Sequence, residues 1–181
     1  MPNRTIAPPI IDAIEFKIKL NPCTHSKLSN GVPLYYINDG TEEVAQIDFV
    51  FKAGNSYEKQ SGIAGSTNYF LKNGTSTKIA FEISELFEYY GAFVSQSCYN
   101  ETATVTLHCL SKYLKELLPV IREMFTDSIF PEEEIAIFKQ NSIQRLSVNL
   151  LKCDFVANRL IDTYLYGSDH PYGKFTTEES I

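Results

Sequence analysis

Two segments of this chain alternate apolar and polar residues with a period of two. In Val44–Lys52, Ala45, Ile47, Phe49 and Phe51 share one face, and Gln46, Asp48 and Lys52 share the other. In Thr102–Leu110, Ala103, Val105, Leu107 and Cys109 face one way, while Thr104, Thr106 and His108 face the other. That pattern belongs to strands with one dry and one wet side. A sheet of such strands needs helices over its dry face, and the rest of the chain supplies them.

Gly62–Lys72 reads as a helix stopped by Asn73-Gly74, and Ala80–Tyr90 as a second one ended by Gly91. Phe81, Leu86, Phe87 and Tyr90 form the expected buried stripe of the second, and Tyr89 is also expected in the core. Phe93–Cys98 and Thr102–Leu110 form a hairpin joined by Tyr99-Asn100-Glu101. Leu114, Leu117, Leu118, Ile121 and Phe125 recur at helical spacing, so Ser111–Phe125 is predicted as an amphipathic helix kinked at Pro119. Pro131 opens a long helix, and Glu132, Glu133 and Glu134 complement its dipole. A last helix spans Asp154–Tyr166 and ends at Gly167, and a polar tail follows. Nearer the start, Phe16–Leu20 and Val32–Ile37 are predicted strands, with a turn at Leu28-Ser29-Asn30-Gly31 and another at Asn38-Asp39-Gly40. The first 15 residues, with three prolines, are expected as an extended arm. The order implies an α+β fold, a largely antiparallel sheet with helices packed on one face. Residues 1–26 form the arm and first strand, and residues 27–181 form the main module.

Composition narrows the function. The chain has 181 residues, 44% apolar content and a net charge of −6. An acidic balance argues against nucleic-acid binding and against anionic membranes. No apolar run is long enough to span a bilayer. No signal peptide is visible, so the cytoplasm is the expected location. The four cysteines, Cys23, Cys98, Cys109 and Cys153, make no C-x-x-C pair and are expected as free thiols. The three histidines are scattered, with His108 on a polar strand face and His25 and His170 in turns. Asn73-Gly74-Thr75 and Asn100-Glu101-Thr102 fit a glycosylation tripeptide but read more simply as turns.

Several short motifs, taken in order, resemble one family. They are Leu28-Ser29-Asn30-Gly31-Val32, Gly54-Asn55-Ser56-Tyr57-Glu58, Gly62-Ile63-Ala64, Asn73-Gly74-Thr75, Gly91-Ala92-Phe93, Phe130-Pro131-Glu132-Glu133-Glu134 and His170-Pro171-Tyr172-Gly173. The chain resembles the N-terminal module of the insulinase, pitrilysin and mitochondrial-processing-peptidase family. In active members a helix carries H-x-x-E-H, in which two histidines one turn apart bind Zn²⁺ and the glutamate activates a metal-bound water. A later helix supplies a glutamate as third ligand.

Laid over this chain, the resemblance puts the first histidine on Gly65, the general base on Asn68, the second histidine on Tyr69 and the third ligand on or near Leu146. Glycine and leucine offer no side-chain donor, a phenol is a poor zinc ligand at neutral pH, and an amide cannot act as base. A cation at Lys139 or Arg145 would repel the metal further. No histidine lies between His25 and His108, so a shift of alignment restores nothing. Zinc, the family's cofactor, is therefore expected to be absent, leaving no catalytic residue.

The resemblance implies a non-catalytic subunit that pairs with a homologous zinc-bearing peptidase chain or self-associates. It also makes Ser95, Gln96 and Ser97 the edge strand on which an extended peptide could add as a further strand. That edge is otherwise expected to be covered, since exposed edges are normally protected. The alternatives are an active zinc metalloendopeptidase whose ligands lie elsewhere, and a stand-alone peptide-binding module. The motifs cover one module of a two-module unit, so the chain is expected to be part of a longer protein.

Overall fold

The computed structural model describes residues 19–181. The expected arm lies outside the described residues, as do residues 16–18 of the strand expected over Phe16–Leu20; Lys19 and Leu20 stand in no strand. Two compact units divide the chain, the first ending at Glu42 and the second running from Glu43 to Ile181.

The first unit holds a two-stranded hairpin, β1 (Thr24–Lys27) and β2 (Pro33–Tyr36), paired antiparallel from Thr24↔Tyr36 to Lys27↔Pro33. The expected Asn-Gly turn joins them. Gly31 takes a φ of +84°, and Val32 N–H donates to Asn30 Oδ1 at 3.1 Å. His25 lies in β1, not in a turn, and its ring stacks on Tyr35 across the hairpin at 4.6 Å. A paired strand places cross-strand side chains close enough for that contact, and the sequence around His25 carries no alternation to reveal it.

The second unit is the α+β module. Its sheet has the order β3 (Val44–Phe51), β5 (Ala103–Leu110), β4 (Phe93–Cys98), antiparallel throughout. Ala103, Val105, Leu107 and Cys109 are all buried, as their alternation requires. The opposite face is mixed, with Val44, Val50 and Phe93 exposed among polar residues, and Thr106 Oγ1 donates to Asp48 Oδ1 at 2.7 Å between β5 and β3.

Helices α1 (Ile63–Phe70), α2 (Ala80–Tyr89), α3 (Leu114–Thr126), α4 (Glu132–Asn149) and α5 (Cys153–Tyr166) follow the predicted order. The core joins Ile83 and Phe87 of α2, Leu107 and Cys109 of β5, and Leu117, Val120, Ile121 and Met124 of α3. Three expected core residues lie elsewhere. Phe81 is 70% exposed and Tyr89 81% exposed. Helical spacing puts Phe81 above Ser84 and Glu85, on the wet face, whereas Ile83 and Phe87 stand four apart on the dry one. Leu118 is also exposed, because the dry stripe of α3 is Leu117, Val120, Ile121 and Met124. A 3-10 turn over Ser111–Tyr113 precedes α3, and the helix continues through Pro119, whose side chain faces solvent. Within the polar tail, Glu178–Ser180 forms a further 3-10 turn in which Thr177 N–H donates to Ser180 Oγ. None of the four cysteines is disulfide-bonded. Among the described residues no helix is long and apolar enough to cross a membrane.

Candidate functional site

Helix α1 begins under tight control. Gly62 holds a φ of +95°, and the Glu58 carboxylate accepts the Gly62 and Ala64 N–H groups at 2.9 and 2.8 Å. A carboxylate there satisfies otherwise orphaned donors and complements the positive helix end. Ahead of it, the Gly54–Tyr57 loop leans on the β4–β5 turn: Asn55 N–H donates to Tyr99 O at 3.0 Å and Ser56 N–H to Asn100 O at 2.8 Å. At that turn Glu101 accepts hydroxyls from Tyr172, Tyr57 and Ser56. Those bonds, the one from Tyr172 first, hold its carboxyl below the usual range, while Glu101 in turn raises both phenols. The tripeptide at Asn100 is thus a hairpin turn. The one at Asn73 leads into a buried Thr75.

The four positions of the expected metal centre occupy one neighbourhood with different duties. Gly65 and Leu146 line the same cleft, of about 620 Å³, between α1 and α4. A Cβ at Gly65 would meet nothing within 4 Å. Asn68 is 5% exposed and donates its side-chain amide to Ser97 O at 2.9 Å and Thr104 O at 3.4 Å. Tyr69 lays its ring 4.9 Å from that of Phe138 on α4. Leu146 is the buried residue of α4. Hydrogen, amide, phenol and isobutyl groups at these positions do not fit a zinc site. Among the described residues no group of three or more His, Cys, Asp or Glu could hold a metal ion. Lys139 and Arg145 both line the cleft, on the α4 face that also carries Phe138, Ser142 and Leu146.

The expected peptide-binding strand is β4. Ser95 is exposed, and among the described residues β4 pairs with β5 alone. Tyr99 N–H donates to Thr102 O at 2.8 Å just beyond the Cys98↔Ala103 pair. Antiparallel alternation then turns the main-chain groups of Val94, Gln96 and Cys98 away from β5. The Gln96 side chain is engaged with α1 through Asn68 O, and Ser97 O accepts from Asn68. Burial, then the charge of Glu58, raises the Cys98 thiol.

Arg159 of α5 went unread in the sequence. Its guanidinium sits between the rings of Phe155 at 5.2 Å and Phe175 at 4.0 Å and donates to Thr176 O at 2.7 Å. The i, i+4 spacing of Phe155 and Arg159 was a usable local signal; the contact with Phe175 depends on how the tail folds back.

Helix α1 packed on the antiparallel β4–β5 pair, with the later helix α4 meeting α1 through Phe138, is the arrangement expected of an inverted zinc metallopeptidase module. Residues 34–164 match the family described as Insulinase (Peptidase family M16), and the chain belongs to that family. It is 27% identical over 151 residues to an uncharacterized zinc protease of Rickettsia felis, an alignment that covers 82% of this chain and 36% of the relative. It is 26% identical over 155 residues to an uncharacterized zinc protease of Bacillus subtilis, covering 84% and 38%. The chain therefore spans well under half the length of the curated relatives it matches. In fold it is similar to a peptidase M16 inactive domain from Pseudomonas fluorescens, with a TM-score of 0.80, 23% identity and coverage of 88% of this chain and 40% of that one. A protease from Helicobacter pylori gives a TM-score of 0.70 at 17% identity, covering 86% and 38%.

Proposed function

We propose that this chain is a non-catalytic member of the insulinase family, a partner subunit that offers substrate-binding surface to a homologous chain carrying H-x-x-E-H. The observation that carries this reading is Asn68. At the position of the general base, a buried amide is spent on two strand carbonyls, Ser97 O and Thr104 O, and cannot take a proton from water. The donor set around it supports the same reading, since Gly65, Tyr69 and Leu146 offer a divalent ion nothing comparable to imidazole or carboxylate. The relative from Pseudomonas fluorescens is described as an inactive domain, which fits a family that keeps the scaffold without the chemistry.

The test has two arms. Metal analysis of the purified chain after dialysis against zinc is expected to give substoichiometric metal, and a mixed peptide pool is expected to stay uncut. Co-expression with a family chain that keeps H-x-x-E-H is expected to yield a complex in which cleavage depends on the partner. Stoichiometric zinc together with hydrolysis by the chain alone would defeat the proposal.

The outward main-chain groups of Val94, Gln96 and Cys98 favour one second reading, a peptide-binding module acting alone. It is distinguished by affinity for an extended peptide, without turnover, in the absence of any partner.

A further inference from the structure

The cleft beside α1 carries an unbalanced charge. Among the described residues its lining includes Lys139, Arg145 and Arg159 but no aspartate or glutamate, the one acid group on it being the α-carboxylate of Ile181. Yet across the chain acids outnumber lysine and arginine by 22 to 16. The walls are apolar, with Phe70, Phe130, Phe138 and Phe155 around the opening left by Gly65. Helical spacing explains why the cations gather there: Lys139 and Arg145 fall on the same α4 face as Phe138 and Leu146.

Arg159 is the most constrained of the three. It is half-buried, held between two phenylalanine rings and tied to Thr176 O. Among the described residues the one ion pair is Lys78–Glu123, so Arg159 has no carboxylate partner there. It also lines an adjoining cleft of about 610 Å³ whose wall includes Cys98 and Asn100, where β4 ends, and the carboxylates Glu58 and Asp162, neither of which is ion-paired with Arg159. A guanidinium fixed between aromatic faces, with donors to spare, is pre-organised for a bidentate carboxylate.

We infer that the cleft binds the carboxylate of an apolar group, with the apolar part among the phenylalanines and the carboxylate on Arg159. Lys139 and Arg145 add attraction at the rim. A peptide ending in an apolar residue has that chemistry, and so does a free fatty acid. The inference rests on the reading of this cleft as one that holds no metal.

The test is isothermal titration calorimetry of the 181-residue chain with three probes: acetyl-Ala-Ala-Phe as free acid, the same peptide as carboxamide, and laurate. At least one carboxylate is expected to bind, weakening as salt rises. The free-acid peptide is expected to outbind its carboxamide about tenfold or more, the difference of one charge-assisted pair. If laurate binds and the peptide does not, the source is a free amphiphile; the reverse assigns a peptide end. Arg159→Gln is expected to abolish the preference for the acid. The double variant Lys139→Gln, Arg145→Gln alters two exposed positions, keeps the fold by circular dichroism, and is expected to weaken carboxylate binding several-fold. Equal binding of acid and amide, no binding of any probe up to about 1 mM, or an acid preference that survives both variants overturns the inference. Zinc content is measured on the same sample. Stoichiometric zinc would sink the non-catalytic reading, whereas zinc-free protein without a carboxylate preference sinks this inference alone.

Discussion

Gln96 and Asn68 bind each other's strand and helix reciprocally. Gln96 on β4 donates its side-chain amide to Asn68 O, and Asn68 donates its own amide to the carbonyl of the neighbouring Ser97. The exchange fastens α1 over the β4–β5 pair at the position where the resemblance expects the general base. Asn68→Ala removes a buried donor and is expected to lower stability by about 1–3 kcal/mol. Asn68→Glu places a carboxylate against Ser97 O and Thr104 O, and is expected to destabilise by about 3 kcal/mol or more without creating peptidase activity. Urea unfolding of the two variants checks the order. Gln96→Ala combined with Asn68→Ala is expected to be non-additive, because the two separate bonds fasten the same junction of α1 and β4.

Glu123 predicts how the module responds to acid. Its carboxylate accepts from Lys78 Nζ at 2.7 Å, from Thr75 Oγ1 at 2.5 Å and from Thr77 Oγ1, tying α3 to the loop after α1. The Lys78 bond first, then the two hydroxyls, lower its pKa from 4.5 to about 2. A carboxyl with a depressed folded-state pKa binds protons more readily when unfolded. Its stabilisation is therefore fully present above about pH 4.5 and is lost as pH falls toward 2. Glu123→Gln is expected to flatten that part of the stability–pH curve, measured as urea midpoints from pH 7 to pH 2. An unchanged slope would show that other carboxyls set the acid response.

Much of the fold was legible because it rests on local periodicity. Alternation in Val44–Phe51 and Ala103–Leu110 marked two strands and assigned the buried face of β5 residue by residue. Glycines and prolines fixed most helix ends to within a residue or two. Errors arose where two faces of a helix were both apolar enough to compete. Phe81, Tyr89 and Leu118 looked like core, and only the position of the sheet decides that Ile83, Val120 and Met124 take those places. The site was legible as an alignment of residue types at Gly65, Asn68, Tyr69 and Leu146. What Asn68 does was not, because its partners lie on strands about 30 residues away, and no periodicity encodes that contact. Arg159 was invisible for the same reason, since its second ring, Phe175, comes from the tail.

Gly54 marks a steric requirement that composition does not reveal. A Cβ there would stand 2.3 Å from Tyr99 O and 2.4 Å from Asn100 O, both rigid backbone atoms. The loop cannot retreat without breaking the bonds from Asn55 and Ser56 to the β4–β5 turn. Gly54→Ala is expected to lower stability by about 2 kcal/mol. The same change at Gly65, where the space is open, is expected to be neutral or mildly stabilising, as alanine favours a helix more than glycine does. Parallel thermal melts of the two variants check the contrast. Equal losses would mean that the loop yields easily.

Gly65 and Tyr69 stand four residues apart on α1, which places their side chains one above the other on the same helix face. Gly65 looks into open space, and Tyr69 is 43% exposed. Two imidazoles at that spacing can share one divalent ion. The double variant Gly65→His, Tyr69→His is therefore expected to bind Zn²⁺ more tightly than the parent, with only two protein ligands and so only weakly. Nearby Lys139 and Arg145 oppose the ion by like-charge repulsion, so adding Lys139→Gln and Arg145→Gln is expected to strengthen binding. Leu146→Glu supplies a third donor from the cleft wall of α4 and is expected to strengthen it again. Asn68 stays in place throughout, so the metal-loaded variant is expected to remain without peptidase activity. Competition titration with a zinc-sensitive dye reads each step. Failure of the histidine pair to bind any metal would show that α1 does not present these two positions to a common point.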